Sequence, residues 1–552
     1  MKHTLGIFAR RAAPALALLW ALHATAQNAA PVGGGFRIAG RVVNAATGDP
    51  IPRVTVAAHS QPDGRVLATA VSDSDGHFSI ENLAAAKYPL SASKRGFRTE
   101  FYDEHEEFNS AIVTGEGQDT EHLQFSLAPP ASLHGIVTGD GGDPVEGANV
   151  MLFRMPDAAH RSEGIVHMDN AMTDDTGAYQ FSDLPAGRYY LAVKADPWYA
   201  LHGRANRNVD GSPTGLDVAY PVTFFDSSID ESSAVPIALA EGSREEANVN
   251  LHAVPAIHLK LPETARSRGT PSVVLRETVF GQEMQGRGGL VAIQPGNLEA
   301  IGVAPGHYQI THGEPPRTVE LNATSDVEIE PDAGVAAVTL SGTLHTSAGL
   351  PIEEDINLLL EPAEGTGRMR MQTFAQKGQF TFEGVLPGRW NLTAYAGPDG
   401  LALPVVSIAT GQHAVAGNEI AVGDHSVSVA VAVSRSQTRI EGLARLDGKP
   451  ASGAMIVLVP RAPGAYLSLL RRDQSDSDGS FALHDVAPGQ YTVVAIVDGW
   501  KLDWRDREAI APYLAAGTAV TIRDRSAPVV QLTKPLTAIA RGTGASGGAD
   551  GR

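Results

Sequence analysis

The 552-residue chain contains no cysteine, which excludes disulfides, thiolate metal sites and a lipid-modified N-terminal cysteine. Stability must therefore come from burial inside each domain, which suits units of roughly 100 residues better than small stapled scaffolds. Helix-compatible stretches are scarce; the best candidate runs from Arg505 to Ala515, and Pro512 limits it. Basic residues are outnumbered, with 43 Lys and Arg against 62 Asp and Glu. A surface of that sign repels phosphate backbones and anionic lipid, so nucleic-acid binding is disfavoured.

The first 26 residues read as a signal peptide. Lys2, Arg10 and Arg11 precede an apolar run from Ala15 to Leu22, and Ala24-Thr25-Ala26 supplies a small-x-small end. The run is far shorter than the ~20 residues of a spanning helix, and no later stretch reaches that length. The expected protein is exported, periplasmic, outer-surface or secreted, with no transmembrane segment after cleavage. Its remaining balance is 40 basic against 62 acidic residues, or −22.

What the chain does have is an internal repeat. Asp75-Gly76-His77-Phe78-Ser79-Ile80-Glu81-Asn82-Leu83 leads into Lys87-Tyr88-Pro89-Leu90. Thr176-Gly177-Ala178-Tyr179-Gln180-Phe181 leads into Pro185-Ala186-Gly187-Arg188-Tyr189. An eroded copy spans Pro295-Gly296 to Tyr308; Gly378-Gln379-Phe380-Thr381-Phe382 reaches Pro387-Gly388-Arg389-Trp390, and Asp478-Gly479-Ser480-Phe481 reaches Pro488-Gly489-Gln490-Tyr491. The marker glycines 76, 177, 296, 378 and 479 are 101, 119, 82 and 101 residues apart, which is domain spacing and not that of a stacked solenoid. A turn glycine at positive φ, alternate apolar residues and a second tight turn before an aromatic describe a β-hairpin entering a sandwich.

Strands with an early glycine precede the markers, as in Ile38-Ala39-Gly40-Arg41-Val42, Leu133-His134-Gly135, Leu340-Ser341-Gly342 and Ile440-Glu441-Gly442. Closing strands follow, as in Leu123 to Leu127, Ala247 to Leu251 and Val529 to Leu532. The expected fold is all-β: a tandem array of about five Greek-key β-sandwich domains. The predicted divisions are a signal peptide at 1–26, sandwiches at 36–128, 131–254 (with a long loop insertion), 255–332 (degenerate), 333–434 and 435–535, and a disordered tail at 540–552.

These residues resemble the carboxypeptidase regulatory-like domain, a prealbumin-like sandwich related to collagen-adhesin B-type and carbohydrate-binding-like folds. The resemblance covers about residues 36–534, and the whole arrangement also resembles large exported proteins of acidobacterial type. The first unit departs from the pattern with Ala85-Ala86 where Pro-Gly would stand. A motif made of turn and core positions speaks for fold and not for activity.

Catalytic signatures are missing. His105-Glu106-Glu107 and His484-Asp485 lack the ligand spacing of a zinc peptidase. No nucleophile elbow, Walker loop or dinucleotide fingerprint follows a strand. Asp73-Ser74-Asp75-Gly76, Asp174-Asp175-Thr176-Gly177 and Asp476-Ser477-Asp478-Gly479 lack the remaining ligands of a calcium loop and read as Asx turns. The resemblance to collagen adhesins raises a Lys-to-Asn isopeptide crosslink, but first strands hold Arg41, His134 and Arg439, leaving Lys260 as the single early-strand lysine. No catalytic residue, metal ligand or cofactor is therefore assigned.

The remaining clue is aromatic. Trp198-Tyr199 and the pair Trp500 and Trp504 follow corresponding strands of two units, and exposed rings there could stack on sugars while Asp196, Asp503 and Arg505 take hydroxyls; alternatively, they cap the sandwich ends. The leading expectation is a non-catalytic exported protein binding carbohydrate, a polysaccharide or another envelope polymer, or an envelope protein. The alternative is a structural spacer of separate beads with short junctions at Pro129-Pro130, Pro255 and Ser434-Arg435-Ser436; an enzyme with an unrecognised site is the least favoured.

Overall fold

The computed structural model describes residues 34–61, 63–202, 208–209, 215–262, 274–285, 289–294, 297–313, 316–363, 370–397, 400–436, 438–523 and 527–542. The signal peptide, the marker Gly296 and the tail from 543 onward lie outside the described residues. Strand is the dominant regular structure, and five main apolar cores are drawn in turn from 38–127, 131–251, 257–329, 340–433 and 440–538, with two smaller clusters beside them, one within the fifth unit and one joining the second and third. The all-β tandem architecture read from the sequence is what the chain adopts.

In the first four units each core lies between two sheets, whereas in the fifth a strand at Leu536–Ala540 joins both layers into one nine-stranded sheet. In the fourth unit one sheet runs Gln379–Val385, Val338–Thr346, Val427–Val433, Val405–Thr410, His413–Ala416; the facing sheet runs Met371–Ala375, Ile356–Pro362, Gly388–Ala396, Leu401–Leu403, with Glu419–Val422 also on Gly388–Ala396. The opening strand pairs antiparallel with the marker hairpin and parallel with the closing strand. That parallel pairing of first and last strands is what the long Greek-key connections achieve.

The repeated motif has three physical causes. In the turn, Gly76 has φ +80°, and a Cβ there would stand 2.5 Å from the Val42 carbonyl oxygen, so both the dihedral and the close approach exclude other residues. Next, the hairpin strand shows apolar positions two and then three apart, such as Phe78, Ile80 and Leu83, because a bulge shifts the register opposite Phe36 and Ile38. The residue before the last apolar position is left-handed in all five units: Asn82, Asp183, Gly302, Gly384 and Asp485. Only Asn, Asp and Gly adopt that conformation readily. Finally, the aromatic after Pro-Gly carries a polar tip that donates to the carbonyl four residues earlier: Tyr88 to Ala84 (3.2 Å), Tyr189 to Pro185 (2.7 Å), Tyr308 to Ala304 (2.6 Å), Trp390 Nε1 to Leu386 (2.8 Å) and Tyr491 to Ala487 (2.8 Å). The first unit keeps this bond although Ala85-Ala86 replaces Pro-Gly.

Two local expectations are revised. The fifth sandwich continues past 535, because Leu536–Ala540 is a strand pairing with both Thr438–Leu446 and Gly489–Val497. The helix expected at Arg505 to Ala515 is one short α-turn, Arg507–Ile510, capped by the Asp506 carboxylate accepting from the Glu508 amide (2.8 Å), and a 3-10 segment, Ala511–Ala516, takes over at Pro512.

The units do not form an extended string. The segment 103–113 of the first packs against 472–480 and the Trp500 region of the fifth, while Ser162 and Glu163 of the second also reach the fifth. The array thus returns on itself, which the bead-like spacer did not anticipate.

Candidate functional site

The four candidate aromatics separate into two environments. Trp198 is 89% exposed, on the loop after Gly187–Lys194, and meets Tyr199 edge-on at 5.8 Å. Trp500 is only 8% exposed. Its indole N–H donates to the Gly453 carbonyl (3.1 Å), and its face stacks on His105 of the first unit at 5.3 Å and 11°. Trp504 is half-buried beneath the Arg472 guanidinium, 3.7 Å from the ring centroid. An open platform at Trp500 and Trp504 is therefore corrected: Trp500 is covered by His105 and Phe108 of the first domain, and Trp504 by Arg472 of its own. Flat aromatics beside arginine are what buried protein interfaces favour, and at Trp500 the partner is the first domain.

The polar residues expected to take hydroxyls at Trp504 are committed as well. Asp503 accepts from the amide and hydroxyl of Ser162, both at 2.7 Å, and Arg505 pairs with Glu163 at 2.8 Å.

The junction between first and fifth units is continuous. Arg472, with its side chain 5% exposed, makes a two-pronged bond to Glu106 at 3.0 and 2.7 Å. The Ser110 hydroxyl donates to the Ser475 carbonyl (2.9 Å), the Ala111 amide to Asp476 (2.9 Å) and the Val113 amide to the Ser477 hydroxyl (2.8 Å), while Lys87 reaches Asp476 at 2.6 Å. Gln474 bonds Ser110 and Asp103.

The two Asp-Ser-Asp-Gly turns show how one sequence serves two purposes. In the first unit Asp73 accepts from the amides of Asp75 and His77, an Asx turn without another domain's help. In the fifth, Asp478 takes over the local bond to Ser480, freeing Asp476 to receive the first unit.

Electrostatics at the junction follow from burial. Asp103 and Asp476 are raised above the usual carboxylate range by loss of solvent, and Asp473 behind them is pushed up to about 7 by the same cause. Glu106 is also desolvated, yet its bonds to Arg472 hold it below that range.

A second junction joins the second and third units. Lys194 and Glu277, both buried, pair at 2.5 Å, and Phe280 packs on Phe153, Tyr190 and Phe224. Beside it lies a cleft of about 950 Å³ whose lining includes Asp230, Glu231 and Tyr308. Nearby, Asp217 accepts from His202 (2.9 Å) and His258 (2.7 Å), and His258 also meets Glu299 at 3.1 Å. Those carboxylate bonds raise the His258 imidazole against the opposing effect of burial.

Sequence reasoning missed His105, Glu106, Arg472, Gln474 and Asp476 as a group. His105-Glu106 was weighed for zinc spacing alone, and no local pattern links it to residues more than 360 positions away. The one available hint was the repeated Asp-Ser-Asp-Gly turn.

Residues 37–128 and residues 132–221 each match the carboxypeptidase regulatory-like domain family. No curated protein matches the chain. Among solved structures, the chain is similar to the minor pilin of Streptococcus agalactiae (14% identity, 42% of this chain and 100% of that one, TM-score 0.19). It is also similar to the major pilin subunit of Bacillus cereus (12%, 56% and 100%, TM-score 0.14) and to the RrgB pilus protein of Streptococcus pneumoniae (10%, 66% and 90%, TM-score 0.14). At such scores no argument about arrangement or activity rests on these likenesses. Among the described residues, no helix is long and apolar enough to cross a membrane.

Proposed function

We propose that this chain, whose first two domains are carboxypeptidase regulatory-like domains, is a non-catalytic exported scaffold that holds its own ends together. The observation that carries this reading is the bond set between segment 103–113 and residues 472–480, in which Arg472 grips Glu106 with both terminal nitrogens. Charged groups that could have served substrate are spent on binding one domain to another. A chain pinned at its ends has fewer arrangements open to it than a string of beads, so the relative placement of its surfaces is defined.

Charge reversal tests the closure. Glu106→Arg and Arg472→Glu should each remove roughly 2–5 kcal/mol from the junction, the usual loss when one member of a buried hydrogen-bonded pair is replaced. Small-angle scattering should find wild type compact, each single variant expanded, and the double reversal compact again. An extended wild type, or a double reversal no better than the singles, would remove the proposal.

One observation favours a second reading, binding of carbohydrate or another surface polymer through the second domain: the 89% exposure of Trp198 beside Tyr199. Large exposed rings are a recurrent means of contacting apolar sugar faces. Retention on insoluble polysaccharide should fall on Trp198→Ala; unchanged retention eliminates this site.

A further inference from the structure

The cleft of about 950 Å³ between the second and third units carries charge of one sign. Its lining includes the carboxylates of Asp230 and Glu231 from the second unit and of Glu277, Glu283 and Glu320 from the third. Among the described residues no lysine or arginine lines it, and His307 is its one imidazole. Two of the five acids are answered by cations outside the lining: Glu277 pairs with Lys194 at 2.5 Å, and Glu283 lies 3.7 Å from Arg276. The other three meet no such charge. Asp230 accepts from the Ser232 amide (3.0 Å) and Glu231 from the Phe280 amide (2.6 Å), neutral donors that leave the negative charge in place, and Glu320 stands exposed on Arg317–Ala323.

Acidic surface by itself means solubility. What sets this cleft apart is Gln309, on Gly306–His312, which is 7% exposed and belongs to the lining. In register it stands between Arg276 and Glu320 on the two neighbouring strands. It bonds neither, and among the described residues its side-chain amide has no hydrogen-bond partner. An amide so enclosed carries a desolvation cost until something entering the cleft meets it.

We propose that the cleft binds a linear polyamine, a ligand whose ammonium groups are set apart along a methylene chain. An ammonium only donates and a carboxylate only accepts, so the charges of Asp230, Glu231 and Glu320 and the Gln309 carbonyl oxygen suit the same ligand groups. Among the described residues no three carboxylates or imidazoles come together closely enough to hold one metal ion. Negative charge spread in this way matches several separated cations on one chain better than a single compact ion. Pro221, Val222 and Ile229 offer apolar surface to the methylenes, and the volume lies within the roughly 300–1,000 Å³ of small-molecule sites. The cleft is separate from the junction of first and fifth units, so a failure here leaves the closed scaffold standing.

Calorimetric titration of the full chain with spermidine tests this in about 0.15 M salt, where charges more than about 8 Å apart are largely screened and general attraction to an acidic surface is weak. Wild type should show one saturable site. Glu231→Gln with Glu320→Gln, which keeps the side-chain shapes and an acceptor for the Phe280 amide, should weaken binding roughly tenfold or more. Gln309→Leu should weaken it roughly three- to tenfold; should leucine lower the unfolding midpoint of the free protein, Gln309→Met takes its place. Glu353→Gln with Glu383→Gln, two exposed acids of the fourth unit, should leave the affinity unchanged. Absence of a saturable site overturns the proposal, as does unchanged affinity in the Glu231 and Glu320 double variant. An equal loss in the fourth-unit control overturns it too, because overall charge would then be the cause. Unchanged affinity on replacing Gln309 also overturns it, since the enclosed amide is what distinguishes this cleft from other acidic surface.

Discussion

At the scale of single residues, the repeat is a pairing of small with large. Gly40 faces Phe78, Gly135 faces Tyr179, Gly342 faces Phe380 and Gly442 faces Phe481 across the first hairpin pairing. The third unit puts Leu261 opposite Leu298, dividing the same space differently. What surrounds each glycine sets the cost of filling it. A Cβ on Gly135 would stand 2.1 Å from the Ala247 carbonyl oxygen, whose backbone is held between the strands Arg244–Glu246 and Val249–Asn250 by its amide's bond to His134; on Gly442 it would stand 2.7 Å from the Phe481 ring tip. Gly135→Ala should cost roughly 3 kcal/mol or more and Gly442→Ala about 1–2 kcal/mol, within the range for overpacked cores. Phe481→Leu should recover part of the second loss and none of the first. Calorimetric unfolding of the four variants, including the Gly442→Ala/Phe481→Leu double, checks the order.

At the scale of elements, the hairpin strand is defined by its bulge. Because the residue before Val486 is left-handed, the strand reads Phe481, Leu483, Val486 on the core side instead of keeping a strict alternation. Asp485→Val should destabilise the fifth domain by roughly 1–2 kcal/mol, since a β-branched residue resists that conformation, while Asp485→Gly should stay within about 0.5 kcal/mol. Hydrogen exchange at the amides of Ser480–Val486 would reveal the difference as faster opening in the valine variant alone. The Asn, Asp or Gly at this position was written in all five copies of the repeat, so the bulge was legible in principle. The expectation of plain alternation missed it because the three-residue step looks like noise until the partner strand supplies the register.

For the whole molecule, the junction between the second and third units carries a testable pH dependence. His258, on the opening strand Ile257–Pro262 of the third unit, is raised by its carboxylate partners, one of which, Asp217, comes from the second unit. Its stabilising effect is complete below the ordinary histidine value of about 6.5 and is lost as pH rises through the raised one. Wild type should therefore lose more thermal stability between pH 6.5 and 8 than His258→Gln. Identical losses in the two proteins would show that this imidazole does not couple the units.

Fold was readable from the chain alone because its causes are local. Gly76, the hairpin alternation and the aromatic after Pro-Gly act within about fifteen residues of one another, and each repeats in most units. The same sequence placed Trp198, Tyr199, Trp500 and Trp504 in equivalent loops but could not separate the exposed ring from the covered one. That difference depends on segment 103–113 meeting Arg472 and Trp500 across more than 360 residues of chain. Turn dihedrals and side-chain periodicity are properties of neighbours in sequence, whereas docking depends on the orientations accumulated over five domains, and only the tertiary structure decides those.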